Sequence, residues 1–181
     1  MMKKVVLSIF LLGMAFCTQA QNRNEVKLNI LNTIALGSVE LGYEYFTDSS
    51  STQSIGVEFL INDRFGFNPQ GKDGKEFKTN SYAVSYNFYF VQDSEDPSAF
   101  YISPYLKYRV GDFVELDENS ILRETDMNSA IIGIGAGYKW VYNGQLALGP
   151  YVSIARGFSK EVADRFSAVE LNGGFSIGYR F

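Results

Sequence analysis

Eight ionisable residues recur at alternate positions of segments that are otherwise apolar or small. They are Glu40, Glu44, Glu58, Lys107, Arg109, Lys139, Glu170 and Arg180. Successive residues of a β-strand point to opposite faces, so these carboxylates and cations are predicted to line one polar face of a sheet. Two chemistries suit such a face: structural ion pairing, or a catalytic carboxylate pair or proton path. We favour structural pairing, because a buried charge without a partner costs several kcal/mol.

The residues that most often carry acid–base and nucleophilic catalysis are scarce. The chain has no histidine, the side chain whose pKa suits proton transfer near neutral pH. Its one cysteine, Cys17, lies in an N-terminal segment that we expect to be removed, so neither a disulfide nor a thiol nucleophile is expected. We therefore predict no enzyme activity, no metal site and no cofactor. A carboxylate or Ser/Lys enzyme is the alternative.

The first 20 residues have the parts of a secretory signal peptide. Lys3 and Lys4 precede an apolar run at 5–16, and Thr18-Gln19-Ala20 supplies the small residues of a cleavage site. The run is shorter than the roughly 20 residues of a membrane-spanning helix. Residues 1–20 are therefore predicted to be a signal peptide and residues 21–181 the mature domain. Acidic residues outnumber basic ones, 20 to 16, which argues against nucleic-acid binding.

The mature sequence predicts eight strands in which apolar residues alternate with small or polar ones. They cover residues 25–34, 39–46, 54–61, 79–91, 99–110, 128–141, 145–155 and 167–181. Outer-membrane strands need about 9 to 11 residues, and eight strands make the smallest single-chain barrels. The predicted fold class is all-β, an eight-stranded antiparallel up-and-down transmembrane β-barrel. A soluble lipocalin-like barrel is the alternative, but it would need the apolar face inside and the charges outside.

The lengths of the connections predict an orientation. With the N-terminus in the periplasm, the long connections at 62–78, 111–127 and 156–166 all fall on the outer side, and short ones fall on the periplasmic side. The first outer connection, at 36–38, is predicted to be a tight turn. The connection at 111–127 is rich in Asp and Glu and is predicted to be a solvated acidic loop, with cation bridging to lipopolysaccharide phosphates as the alternative.

Aromatic residues gather at the periplasmic ends of the predicted strands. Facing lipid at one level, they would form a periplasmic aromatic girdle, for which we select Tyr45, Phe88, Phe90, Trp140, Tyr142, Tyr179 and Phe181. Phe46, Phe100 and Tyr101 fall at the same level in the sequence pattern. Pro104 and Pro150 lie inside strands and remove ladder hydrogen bonds, so β-bulges are predicted at both.

Glycines alternate along the sixth predicted strand in Gly133-Ile-Gly-Ala-Gly137. A phosphate-cradling loop would place its glycines in a strand-to-helix turn, whereas these lie in mid-strand. They are therefore predicted to be small inward residues that make room for bulky neighbours.

Three features carry a resemblance to a known class of protein. The chain ends on an aromatic residue, Phe181. Within 29–46, Glu44 follows an aromatic residue near the end of the second strand. The dipeptide Pro104-Tyr105 lies in the fifth strand. In these the chain resembles the small eight-stranded outer-membrane barrels of the OmpA-like superfamily, and more narrowly a family of uncharacterised Gram-negative barrels. The resemblance implies that Phe181 is an assembly signal for the barrel assembly machinery, with outer-membrane lipid and lipopolysaccharide as further partners.

The function expected from these features is non-catalytic. The enzymes among outer-membrane barrels resemble one another in depending on His, which this chain lacks. We expect an exported protein of the bacterial outer membrane, monomeric, with a structural, adhesive or partner-binding role through its outer loops and an unknown extracellular partner. No peptidoglycan-binding domain follows the barrel, so an anchoring role is not expected. The alternative is a carrier or transporter of a small hydrophobic ligand across the outer membrane, which would need an apolar inner cavity.

Overall fold

A computed structural model describes residues 23–67, 75–91, 97–116 and 121–181. The predicted signal peptide lies outside these residues. The elements, in chain order, are β1 (Asn24–Asn29), α1 (Ile30–Leu36), β2 (Val39–Phe46), β3 (Gln53–Ile61), β4 (Glu76–Val91), β5 (Ala99–Leu116), β6 (Leu122–Asp126), β7 (Ser129–Tyr142), β8 (Leu146–Gly157), α2 (Lys160–Arg165) and β9 (Val169–Arg180).

Antiparallel pairing closes eight of the nine strands, all except β6, into a barrel. Sequence neighbours pair with each other, and β1 pairs with β9 to close the ring. The short β6 continues the ladder on β5 beyond the end of β7, in the same register: Arg109 pairs with Ser129 of β7, and Asp112 pairs with Asp126 of β6. The prediction of a closed eight-stranded antiparallel barrel is confirmed.

The two ends of the barrel differ. The start of β1 and the end of β9 lie together, joined by reciprocal backbone hydrogen bonds between Asn24 and Phe181. We call this the terminal end and the opposite one the distal end. Among the described residues, no helix is long and apolar enough to cross a bilayer.

The register sets the tilt of the strands. One row of paired, outward-facing residues starts on β7 at Trp140, passes round the barrel and returns to β7 at Ala130, ten residues away. Its members are Trp140, Leu148, Ile177, Leu28, Leu41, Phe59, Tyr82, Tyr108 and Ala130. This shift corresponds to a strand tilt of about 40° and a climb of about 25 Å along the barrel axis. An outer-membrane barrel carries an apolar outer band of about that height.

The first predicted strand is wrong in its second half. Residues 30–36 form α1, so the predicted tight turn at 36–38 is only the end of a helix. The Asn29 side chain caps the helix by accepting from the backbone N–H of Asn32, and Gly37 closes it in the left-handed conformation with φ of 69°. These local caps outweigh the weak alternation of apolar residues in this stretch.

The predicted loop at 111–127 is largely a β-hairpin. β5 continues to Leu116 and β6 returns from Leu122, while 117–120 lie outside the described residues. The pairing of β5 with β4 continues past the predicted end at Val110, and Phe113 of β5 pairs with Phe77 of β4 on the inner face. β4, β5 and β6 thus rise beyond the other strands as a three-stranded distal extension.

The predicted bulges at Pro104 and Pro150 are also wrong. Pro104 pairs with Ile134 and Pro150 pairs with Phe175 within regular ladders. On the other side of each proline the ladder is interrupted but resumes in the same register. Each strand therefore loses pairing locally without gaining the extra residue that defines a bulge.

Candidate functional site: the barrel interior and the distal extension

The lumen near the terminal end holds a cluster of four buried charges, which we call the terminal cluster. Lys139 Nζ lies 2.8 Å from Glu25 Oε1 and 2.9 Å from Glu44 Oε2. Arg180 Nε lies 2.7 Å from the other oxygen of Glu25. All four side chains come from strands, and each is almost fully buried.

Aromatic rings and hydroxyl groups surround the terminal cluster. Phe46 and Tyr89 pack together at 5.5 Å, and the Lys139 ammonium lies 4.9 Å from the centre of the Tyr89 ring. The Arg180 guanidinium lies 4.2 Å from the centre of the Phe46 ring. Glu44 also accepts hydrogen bonds from Ser54, Asn87 and Tyr89. Cations over ring faces and carboxylates with several donors are the arrangements that make buried charge tolerable.

A second group of four charges, the distal cluster, lies nearer the distal end. Arg109 joins Asp63 Oδ2 through Nε at 2.8 Å and Glu170 Oε2 through Nη2 at 2.8 Å. Lys107 Nζ lies 3.2 Å from the same Asp63 oxygen and 3.1 Å from Glu170 Oε1. Each cation thus contacts both carboxylates, which makes the cluster doubly connected.

The connection after β3 supplies part of the distal cluster. Asp63 and Arg64 leave the barrel wall and turn into the lumen, where both are buried. Asp63 accepts from the Ser81 hydroxyl at 2.5 Å, and the Arg64 guanidinium donates to Asn172 Oδ1 at 3.3 Å. The chain after β3 therefore fills the lumen under the distal end.

Glu40 is held by hydrogen bonds alone. Its carboxylate accepts from the side-chain amides of Asn29 and Asn32 at 2.8 and 2.6 Å and from the Tyr151 hydroxyl at 2.7 Å. None of the described Lys or Arg side chains forms an ion pair with it. Neutral donors hold this carboxylate at the level where β1 gives way to α1.

A cavity of about 90 Å³ separates the two clusters. The ion pair of Lys27 and Glu58, 2.6 Å apart, borders it together with Tyr101, Tyr105 and Tyr151. The space is enough for several water molecules. Pockets for drug-sized ligands start at about 300 Å³, so this cavity is too small for such a ligand.

Glycines of β7 make room for the tyrosines of this cavity. A Cβ at Gly133 would lie 2.5 Å from Cζ of Tyr105, and one at Gly137 would lie 2.8 Å from the ring of Tyr101. The predicted role as spacers for bulky inward neighbours is confirmed for Gly133 and Gly137, whereas a Cβ at Gly135 would make only ordinary contacts, the nearest at 3.5 Å.

The inner face of the distal extension is apolar. Phe77, Phe113, Met127 and Val162 are buried together there, and Phe166 packs against them. The centres of the Phe77 and Phe113 rings are 4.6 Å apart, and those of Phe113 and Phe166 are 5.1 Å apart in an edge-on arrangement. α2 contributes Val162, so this small core covers the distal mouth of the barrel.

The outer face of the distal extension exposes apolar side chains. Leu116 and Leu122 pair across the hairpin and are 53% and 65% exposed. Ile121 lies beside them, and Phe158, just after β8, is 65% exposed. Glu115, on the inner face, forms an ion pair with Arg165 of α2 and ties the hairpin to the barrel.

The residues chosen for an aromatic girdle lie at the terminal end. Tyr45, Phe88, Phe90, Trp140, Tyr142 and Tyr179 point outward and are exposed, and Phe181 is half-buried. Phe90 packs against Phe100 at 5.9 Å. Phe46 and Tyr101, which fall at the same level in the sequence pattern, point inward instead and belong to the terminal cluster's surroundings.

The structure divides the eight ionisable residues selected from the sequence among several groups. Glu44, Lys139 and Arg180 lie in the terminal cluster; Lys107, Arg109 and Glu170 lie in the distal cluster; Glu40 and Glu58 border the cavity. Sequence reasoning missed Glu25, Lys27, Asp63 and Arg64. Glu25 and Lys27 share the alternation of the selected set, whereas no local pattern marks Asp63 and Arg64.

The described acidic residues at 111–116 and 121–127 do not assemble into a metal site. In the described part of the chain, no group of three or more Asp, Glu, His or Cys side chains is placed to hold a metal ion. Glu115 is bound to Arg165, and Asp126 accepts from the backbone N–H of Asn128.

Several solved structures match this architecture. The N-terminal β-barrel domain of Pseudomonas aeruginosa OprF matches with a TM-score of 0.54 at 13% identity, covering 87% of this chain and 95% of that one. Neisserial surface protein A matches with a TM-score of 0.49 at 15% identity, covering 87% and 91%. The Yersinia pestis outer-membrane protein Ail, solved in a phospholipid bilayer nanodisc, matches with a TM-score of 0.47 at 15% identity, covering 87% and 98%.

The likeness to the OprF domain, at this identity, shows that the chain shares the fold of that β-barrel domain. No curated protein matches the sequence. The model of a family described as a protein of unknown function, DUF3575, matches residues 5–180, and the chain therefore belongs to the DUF3575 family.

Proposed function

We propose that this protein resides in the bacterial outer membrane as a filled, non-catalytic barrel whose distal extension is an adhesive surface. The observation that carries the proposal is a contrast within the molecule. Two ion-pair clusters fill the described lumen, whereas the distal extension presents exposed apolar side chains.

The outer wall supports the membrane location. Large apolar side chains lie exposed along it, such as Leu106 at 63% and Val152 at 66%. A water-soluble protein rarely exposes a continuous apolar surface of this extent, and lipid would cover it. The signal peptide at 1–20 would deliver the chain to the periplasm, and the girdle residues would then lie at the periplasmic interface.

The same location assigns further roles. Phe181 would act as the signal for the barrel assembly machinery, and lipopolysaccharide would surround the distal half. The terminal end would face the periplasm and the distal extension the cell exterior. The interior argues against a carrier, because the cavity is small and is bordered by Lys27 and Glu58.

An adhesive role follows from the chemistry of the distal extension. Leu116, Ile121 and Leu122 are exposed beyond the barrel wall, where water would surround them. The free energy falls when another apolar surface covers apolar side chains that are gathered at an exposed end. The small aromatic core around Phe113 holds the hairpin that presents them.

Adhesion of cells to polystyrene tests the proposal. A Gram-negative host would express the full chain or the double variant Leu116→Ser, Leu122→Ser, with Glu124→Ser as a control that alters the same hairpin without removing an apolar group. We expect the double variant to reduce adhesion and the control to leave it unchanged, at equal amounts on the cell surface. Equal adhesion of all three would overturn the adhesive role.

Solute flux separates the proposal from the carrier alternative. Proteoliposomes containing the purified protein would be tested for swelling in a small sugar and for uptake of a fluorescent fatty acid. The filled lumen predicts neither swelling nor uptake above that of empty liposomes. Uptake that depends on the protein would favour the carrier.

A further inference from the structure

α1 occupies a place where the wall of the barrel would otherwise be open. The outward row that climbs from Trp140 to Ala130 reaches Leu28 after three of its eight steps, so β1 ends at Asn29 about halfway up the wall. β9 continues beyond this level, from Ser176, the partner of Asn29, to Val169. α1 follows β1 directly and packs against β9 and β2, filling the gap above β1.

The two sides of α1 differ in polarity. Asn32 is fully buried, and its amide donates to Glu40 in the lumen. Leu31 and Ile34 are 51% and 81% exposed, and Ala35 is exposed beside them. The spacing of these three residues places them on one face of the helix. Residues 30–39 contain no charged side chain.

The backbone of α1 is capped within the chain. Asn29 Oδ1 accepts from the N–H of Asn32 at 3.1 Å, and the Thr33 hydroxyl donates to the carbonyl oxygen of Asn29 at 2.7 Å. At the other end, the N–H groups of Gly37 and Ser38 both donate to the carbonyl oxygen of Asn32. A segment in contact with hydrocarbon must satisfy its backbone in this way, because lipid offers no hydrogen-bond partners.

We infer that α1 is a lipid-facing part of the barrel wall, with Leu31 and Ile34 packed against the acyl chains of the outer leaflet. The inference rests on the proposed membrane location. The exposed face of α1 lies at the height of the apolar outer surface and continues it, and it carries no charge that would hold it at the level of the headgroups. The occupant of this surface is therefore acyl chain and not a second protein.

Site-directed spin labelling tests this placement. Because the only cysteine, Cys17, lies in the predicted signal peptide, single cysteines can be introduced into the mature protein one at a time. Nitroxide labels at Ile34→Cys and, as a second probe of the same face, Leu31→Cys would be compared with two references. Ile134→Cys lies on β7 of the wall at similar height, and Leu122→Cys lies on the distal extension. Collision rates with oxygen, which enters lipid, and with a water-soluble nickel chelate would be measured in vesicles containing lipopolysaccharide.

The inference predicts that labels at 34 and 31 have high collision rates with oxygen and low collision rates with the nickel chelate, as the label at Ile134→Cys does. A different result would overturn the placement of α1 and leave the membrane location standing: the chelate reaches labels at 34 and 31 as easily as at Leu122→Cys, while the label at Ile134→Cys stays protected. Nickel access at Ile134→Cys as well would overturn the proposed location together with the inference.

Discussion

The terminal and distal clusters use the same chemistry but differ in how the chain supplies it. All four charges of the terminal cluster come from strands, and rings of Phe46 and Tyr89 enclose them. The distal cluster takes Asp63 from the connection after β3, and each of its cations contacts both of its carboxylates. In the terminal cluster, Glu44 and Arg180 each have a single charged partner, whereas every charge of the distal cluster has two.

Replacing Lys139 should have the largest effect. Lys139→Met leaves Glu44 without its cation and Glu25 with Arg180 alone. Removing one partner of a buried pair costs about 3–5 kcal/mol. Urea unfolding in lipid vesicles, followed through the emission of Trp140, the only tryptophan, would measure the loss. Adding Glu44→Gln should recover part of it; a single variant as stable as the wild type would contradict the importance of this contact.

The equivalent change in the distal cluster should cost less. In Lys107→Met, Arg109 still contacts both Asp63 and Glu170, so no carboxylate is left unpaired. We expect a loss of about 1.5–3 kcal/mol, the range for hydrogen bonds to charged groups. The same unfolding assay applies. A loss equal to that of Lys139→Met would remove the distinction between single and shared contacts.

Removing Asp63 should act mainly on the connection that carries it. Asp63→Asn weakens the hold of Arg109 and Lys107 on this segment, which can then leave the lumen and admit water. Because Glu170 still pairs with both cations, we expect a loss of about 1.5 kcal/mol in barrel stability, with faster trypsin cleavage after Arg64, which is buried in the wild type. Ser81→Ala, which removes only one hydrogen bond to Asp63, is the matched control. Unchanged cleavage in Asp63→Asn would show that the segment is held by other contacts.

The turn between β2 and β3 lies outside both clusters and gives the smallest effect. Partial burial opposes the charged form of Asp48, but the N–H groups of Thr52 and Gln53 and the Thr52 hydroxyl outweigh it and lower the pKa of this carboxyl. A lowered pKa in the folded state adds stability above the ordinary pKa of Asp and loses it as the pH falls. Asp48→Asn should therefore cost less than about 1 kcal/mol at neutral pH. The difference from wild type should begin to shrink in unfolding measurements as the pH falls below about 4 and disappear below the lowered pKa of Asp48; a difference that grew at low pH would reverse the assigned sign.

The two clusters also differ in how far the sequence pattern predicts their members. Alternation assigns a face to every strand residue, so the barrel, its strand count and the polar face could be predicted. Glu25 and Lys27 follow the same alternation and could have been predicted in the same way. Asp63 and Arg64 could not be found, because a connection that folds into a lumen carries no periodic pattern.

Helix α1 and the distal hairpin could not be predicted from the sequence pattern either. The segment 30–36 has apolar residues that suit a strand, and the outcome depends on caps formed by Asn29 and Gly37. The hairpin of β5 and β6 depends on Phe113 finding Phe77 on a neighbouring strand. Predicting either requires knowledge of which residues meet in space.

Fractionation of the cell envelope, followed by gel electrophoresis of boiled and unboiled samples in detergent, tests the central claim most directly. A closed membrane barrel with a filled interior should be found in the outer-membrane fraction and should change its mobility on boiling, because it stays folded in detergent at room temperature. A protein that is soluble without detergent and runs the same before and after boiling would contradict the account.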